Sequence, residues 1–114
     1  MKKINNTNIL LNENTCPKII RRLDKWGRLV LPRAFKDKIF SDYLKVNVNS
    51  NFLILSNSLN NEGIKANKNG RIMVPKQIRE NLKWNEGNLI DIYLYKIDCI
   101  VMQKSKIQHI NYKK

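Results

Sequence analysis

The chain has 114 residues, 42% of them hydrophobic, which is enough for one compact domain or two very small units. Its 22 Lys and Arg against 9 Asp and Glu give a net charge of +13, a surplus that suits a polyanion, with nucleic acid the default partner. Cys16 and Cys99 form no C-x-x-C pair and His109 is the single histidine, so a disulfide scaffold is excluded and a metal site has no ligand set.

Residues 1–17 are polar and Asn-rich and read as an N-terminal arm; Met1-Lys2-Lys3 is followed by neither an apolar signal-peptide core nor a small-residue cleavage site. No stretch approaches the ~20 apolar residues of a membrane span. A cytoplasmic protein with free thiols and no membrane partner is the expectation. Residues 18–57 form a first unit, 58–62 a polar linker, 63–104 a second unit and 105–114 a basic tail.

The two units are copies. Trp26-Gly27-Arg28-Leu29-Val30-Leu31-Pro32 recurs as Asn69-Gly70-Arg71-Ile72-Met73-Val74-Pro75, 43 positions later, and Phe35, Lys36, Asp37 and Ile39 recur in class as Ile78, Arg79, Glu80 and Leu82. Each copy predicts a strand (18–23; 64–67) running into a Gly turn that begins at Asp24 or Asn67. A short apolar strand follows (29–31; 72–74). Proline then ends the strand and is expected to serve as the first helical residue. Phe35 with Ile39, and Ile78 with Leu82, stand at helical i, i+4 spacing and turn one face toward a core. Alternating Leu44, Val46 and Val48, or Ile90, Ile92 and Leu94, predict a half-buried strand that returns through a hairpin. Each unit is thus ββαββ, and the chain is mostly β with one short helix per unit.

Charge is sorted within each copy. Residues 18–38 hold eight basic and two acidic side chains and 63–83 hold six and one, whereas 39–57 have one of each sign and 84–104 have two basic and three acidic. That segregation predicts a binding face in the first half of each unit. No catalytic constellation or Gly-rich phosphate loop is present, so neither an enzyme nor a cofactor is expected.

Arg21-Arg22-Leu23-Asp24-Lys25-Trp26-Gly27-Arg28-Leu29-Val30-Leu31-Pro32 resembles the core of the SpoVT/AbrB DNA-binding family, which includes MazE-type antitoxins. Lys65-Ala66-Asn67-Lys68-Asn69-Gly70-Arg71-Ile72-Met73-Val74-Pro75 resembles it again, with Asn67 where the family has Asp. The resemblance covers residues 18–104. It implies a swapped-hairpin β-barrel in which two units interleave, here within one chain or between two in a homodimer. It also implies a nucleoid-associated, prokaryotic, phage or plasmid transcriptional regulator that lays its basic strand-turn-helix face on double-stranded DNA. A MazE-like antitoxin is the alternative, although the basic tail of about ten residues argues against a toxin partner. A basic RNA-associated or structural protein is the other rival.

Nine residues are the DNA-binding candidates. Arg28 and Arg71 follow the turn glycines, and their planar forks suit phosphate or guanine. Arg21, Arg22 and Lys65 precede the turns. Lys36 and Arg79 fall where the family commonly places arginine on the helix, and Arg33 and Lys76 follow the prolines. At the next helical position the family is often basic, whereas this chain has Asp37 and Glu80. Asp24 and Asn67 read as turn-makers, Trp84 and Cys99 as core, and Trp26 as an aromatic packed on its own hairpin or a groove wedge.

Overall fold

The computed structural model describes residues 17–36, 42–58, 60, 62–96 and 99–108. Residues 1–16 of the expected arm at 1–17, Ile39, His109 and the end of the tail lie outside them. Strands β1 (Lys18–Arg22) and β2 (Arg28–Val30), helix α1 (Arg33–Lys36) and strands β3 (Tyr43–Asn49) and β4 (Phe52–Asn57) come from the first unit. Strands β5 (Ile64–Lys65) and β6 (Arg71–Met73), helix α2 (Lys76–Leu82) and strands β7 (Leu89–Lys96) and β8 (Cys99–Lys104) come from the second. The protein is mostly β, with a curled antiparallel half-barrel sheet and little helix.

Six strands form that sheet in the order β1-β7-β8-β4-β3-β5, and β2 pairs with β6 in a separate two-stranded ribbon. The first strand of each unit therefore pairs with the later strands of the other, β1 with β7 and β5 with β3. Exchanging β1 with β5, β3 with β7 and β4 with β8 reads the same order backwards, so the duplication in sequence has become an approximate two-fold in the fold. Registers follow the same symmetry. In the ribbon Arg28 faces Met73, Leu29 faces Ile72 and Val30 faces Arg71, which places the pseudo-axis at the Leu29–Ile72 pair. Where the hairpins meet, Ile54 faces Val101 at the corresponding centre.

The offset between copies grows along the chain. It is 43 in the turns and ribbon. It is 46 in the third strands, where Leu44 opposite Ile64 matches Ile90 opposite Arg21. A register shift between Leu94 and Lys96 adds one more residue, giving 47 between Ile54 and Val101. A bulge takes up an extra residue without turning the strand over, so Ile100 and Met102 keep facing the same core as Leu53 and Leu55.

Alternation decides which side chains enter that core. Leu53, Leu55, Ile90, Ile92, Ile100 and Met102 face inward from the sheet. Leu29 and Ile72 descend from the ribbon to meet them, and Leu31, Val74, Phe35, Leu82 and Trp84 close the ends. The ribbon packs on the curled sheet through this shared core, with β1 against β2 and β5 against β6. The opposite sheet face carries a smaller cluster of Ile54, Tyr93, Cys99 and Val101, with Phe52 and Tyr95 against it. Cys99 is thus a buried packing residue, as expected.

Two local expectations change. Pro75 is not the first helical residue but the cap before it, because its ψ of 148° is extended and the helix begins at Lys76. Its carbonyl still accepts the Arg79 N–H. The apolar strands are also not wholly buried. Three residues in a pleated ribbon alternate, so only Leu29 and Ile72 point inward while Val30 and Met73 stand on the outer face. At the far end, the start of the basic tail is docked: Ser105 is buried, and the Gln108 amide bonds both backbone groups of Leu89. No helix among the described residues is long and apolar enough to cross a membrane.

Candidate nucleic-acid interface

The two turns that carry the candidate arginines are built alike. Asp24 Oδ1 accepts the N–H groups of Trp26 and Arg28 at 2.9 and 2.8 Å. Asn67 Oδ1 accepts those of Asn69 and Arg71, both at 2.9 Å. An Asx oxygen that bonds the backbone two and four residues on is why either residue makes this turn. Gly27 and Gly70 close the turns with φ of 81° in both, a left-handed conformation. Their carbonyls accept the N–H groups of Val74 and Leu31, which extends the ribbon and ties each turn to the other unit.

The side chains then diverge. Arg28 Nε donates to Asp24 Oδ2 at 2.7 Å, and its guanidinium carbon lies 4.4 Å from the centroid of the Trp26 ring. Lys25 Nζ lies 4.5 Å from the same centroid. Trp26, 53% exposed, therefore has its ring engaged by cations of its own turn, which fits the hairpin-packing expectation rather than a free wedge. Asn67 offers Arg71 no carboxylate, and the Arg71 side chain makes no hydrogen bond among the described residues. One unit holds its arginine and the other leaves it loose.

The clamp is pH-sensitive. Burial works to raise the Asp24 carboxyl's pKa, but hydrogen bonds from the Arg28 backbone and side chain and from Trp26, with the Arg28 charge, hold it below its ordinary value of 3.8. A carboxyl with a lowered folded pKa stabilises the fold above its unfolded pKa and loses that contribution as pH falls through the folded one. Asp24→Asn keeps the turn, since Asn67 makes the same backbone bonds, but removes the charge. The variant should melt lower than wild type at pH 7, and the gap should close as pH drops below about 4. Thermal midpoints at pH 7, 5 and 3 check this; a gap independent of pH would refute it.

The remaining candidates are spread unevenly. Arg21 is half-buried opposite Ile90, its Nη1 bonded to the Ile20 carbonyl. Arg22 is exposed, with Nη1 on the Gly87 carbonyl at 2.9 Å. Arg33 and Lys76 are exposed at the first positions of α1 and α2, and Lys65 is exposed in β5. Lys36 ends α1, and its side chain lies outside the described residues. Arg79 serves the fold itself: Nε donates to the Val74 carbonyl at 2.9 Å, and the side chain lies across Gly27 of the other unit.

That contact can be isolated. A Cβ at Gly27 would meet Arg79 Nε at 2.5 Å and Cζ at 2.7 Å, whereas one at Gly87 would meet nothing within 4 Å; their φ values, 81° and 85°, are nearly equal. Gly87→Ala should cost only the left-handed strain of about 1–2 kcal/mol. Gly27→Ala should cost about 1–2 kcal/mol more, for the disturbed hydrogen bond of a charged group. Denaturant titration should show the excess vanish when Arg79 is also alanine.

A basic cleft beside α2 was not foreseen. It is lined by Lys25, Lys76, Arg79 and Lys83, by Glu80 and Glu86, and by Trp84 and Asn85. Lys25 and Lys83 are its basic residues outside the nine candidates: Lys25 recurs as Lys68 in the second turn, whereas the position matching Lys83 is Phe40. Trp84 is buried as expected, and its indole N–H has no hydrogen-bond partner among the described residues. No cluster of three or more His, Cys, Asp or Glu among the described residues is placed to hold a metal. Compared with models of protein families, with curated proteins and with solved structures, the chain gives no match in any of the three.

Proposed function

We propose that this protein is a DNA-binding transcriptional regulator of the SpoVT/AbrB type, whose two units interleave as a swapped-hairpin barrel and meet duplex DNA through the β2–β6 ribbon and the adjoining turns and helix starts. The observation that carries this reading is the ribbon register, which sets Arg28 and Arg71 diagonally on one outward surface about a pseudo-two-fold axis. Cross-strand diagonal neighbours stand roughly 7–8 Å apart, about two base-pair steps. The net charge of +13 supplies the general attraction.

Mechanistically, phosphates would be held by the exposed Arg33, Lys65 and Lys76 and by the loose Arg71, while Arg28, steadied by Asp24, would hold a fixed contact. Phosphate contacts position the protein and carry no sequence information, so specificity falls to the ribbon and to DNA shape. Arg79 would act indirectly, by fixing the Gly27 turn against α2. If six to eight phosphates are neutralised, a plot of log affinity against log salt should fall with a slope of about −5 to −7. Fluorescence anisotropy with a labelled duplex at stepped salt measures it, and an affinity indifferent to salt would end the reading. Structured RNA competing as well as duplex DNA would favour the RNA-associated alternative.

A further inference from the structure

The outward face of the ribbon holds more than arginine. Val30 is 42% exposed and Met73 53% exposed, although their strand neighbours Leu29 and Ile72 are each 1% exposed. Because Arg28 faces Met73 and Val30 faces Arg71, the surface is a two-by-two array with cations on one diagonal and apolar side chains on the other. The array straddles the pseudo-axis, flanked by the turns that carry Trp26 and Asn69. Two exposed apolar side chains at the centre of the most basic part of the chain add nothing to the core and nothing to phosphate attraction.

We propose that Val30 and Met73 are specificity residues that read the C5-methyl group of thymine in the major groove. This rests on the DNA-binding reading above. A major groove about 12 Å wide admits a two-stranded ribbon, and thymine is the one standard base presenting a methyl group there. An apolar side chain beside an arginine supplies both halves of such a contact: the cation takes a phosphate or guanine edge, and its neighbour covers the methyl group. The diagonal places the two methyl contacts about two base-pair steps apart, one on each side of the axis. Val30 is short and stiff, whereas Met73 is long and adaptable. The two half-sites are therefore read with unequal stringency, the Val30 side being the stricter. RNA offers neither the methyl group nor an accessible major groove, so the same array excludes it.

Two alternating duplex copolymers test this, poly(dA-dT) and poly(dA-dU), which differ in the methyl group. Burying one methyl group is worth about fourfold in affinity, so wild type should prefer the thymine polymer by roughly 15-fold if both residues engage. The double variant Val30→Ser, Met73→Gln, altered at exposed positions, should bind both polymers alike while keeping the wild-type salt slope. Equal binding of both polymers by wild type, with a steep salt slope, would overturn the methyl contact and leave the DNA-binding reading standing. A preference that persists in the double variant would likewise overturn it. Failure to bind either polymer at low salt would overturn both readings.

Discussion

Replacing Arg28 and Arg71 together by alanine is expected to lower affinity for duplex DNA by roughly 10²- to 10⁴-fold at moderate salt, since each charged hydrogen bond lost is worth about 1.5–3 kcal/mol. The salt slope should shrink in magnitude by about 1.8, two phosphate contacts at about 0.9 each. The single variants should not be equal. Arg71→Ala removes one loose cation whose side chain has no hydrogen bond among the described residues. Arg28→Ala removes a cation and also strips Asp24 of its side-chain partner, which leaves a carboxylate on the face proposed to meet phosphate. Arg28→Ala should therefore be the weaker binder of the two, and adding Asp24→Asn should recover part of its loss. Stability should change little, because both arginines are at least partly exposed and the Asp24–Arg28 pair is a surface pair, screened by solvent. Anisotropy titrations at four or five salt concentrations, with a circular dichroism melt for each variant, separate binding from folding. A double variant that binds as wild type does would remove the ribbon from the interface.

The repeat made much of the local structure legible. Turn residues dictate local geometry through contacts two to four positions away, so Asp24 and Asn67 announced their turns and the prolines announced the strand ends. What the spacing alone could not say is which strand pairs with which. Ladder partners such as Ile19 with Ile92, or Leu44 with Ile64, are joined by nothing local, and the exchange between units emerges from where the apolar faces are buried together. The bulge near Leu94 was invisible for the same reason: one extra residue in a hairpin leaves the apolar pattern intact on either side of it. The candidate site was legible in type more than in use. All nine cations stand out by position, in the repeat or in the resembled family motif, and position does not reveal that Arg79 spends its Nε on Val74, that Arg22 spends Nη1 on Gly87, or that Arg28 is clamped while Arg71 is not. Val30 and Met73 carry no mark in the sequence, because each stands in an unbroken apolar run. Their signal lay in the pleat, since the middle of three residues flanked by buried neighbours points the other way.

Unequal copies under an approximate two-fold have a consequence for the target. Around the Leu29–Ile72 axis, Trp26, Asp24 and Val30 on one side answer Asn69, Asn67 and Met73 on the other. A single chain would thus favour a site whose two halves differ, and a strictly palindromic site would call for two chains. Changing Asn67 to Asp and Asn69 to Trp brings the second turn closer to the first, and should shift preference toward a more symmetric sequence in selection from a random duplex pool.

Severing the chain between residues 60 and 61 is expected to abolish the fold of each half on its own, the largest structural effect available from one cut. A half taken alone keeps only its own hairpin, β3–β4 or β7–β8, and loses every ladder that crosses between units: β1–β7, β3–β5, β4–β8 and β2–β6. An isolated two-stranded hairpin is marginal in water. The core is divided as well, because Leu53 and Leu55 would be left without Ile100 and Met102, and Leu29 without Ile72. Each half at low micromolar concentration should therefore show an unfolded circular dichroism spectrum. An equimolar mixture should regain the β spectrum of the intact chain, with a melting temperature that rises with concentration. The intact chain should stay ahead of the mixture until the halves approach the roughly millimolar effective concentration that a short linker provides. Because the units are similar, a half at high concentration can also pair with its own copy, so sedimentation must accompany the spectra. A half that is monomeric and unfolds cooperatively by itself would show that the units are independent domains and that the crossing ladders are not what hold the protein together.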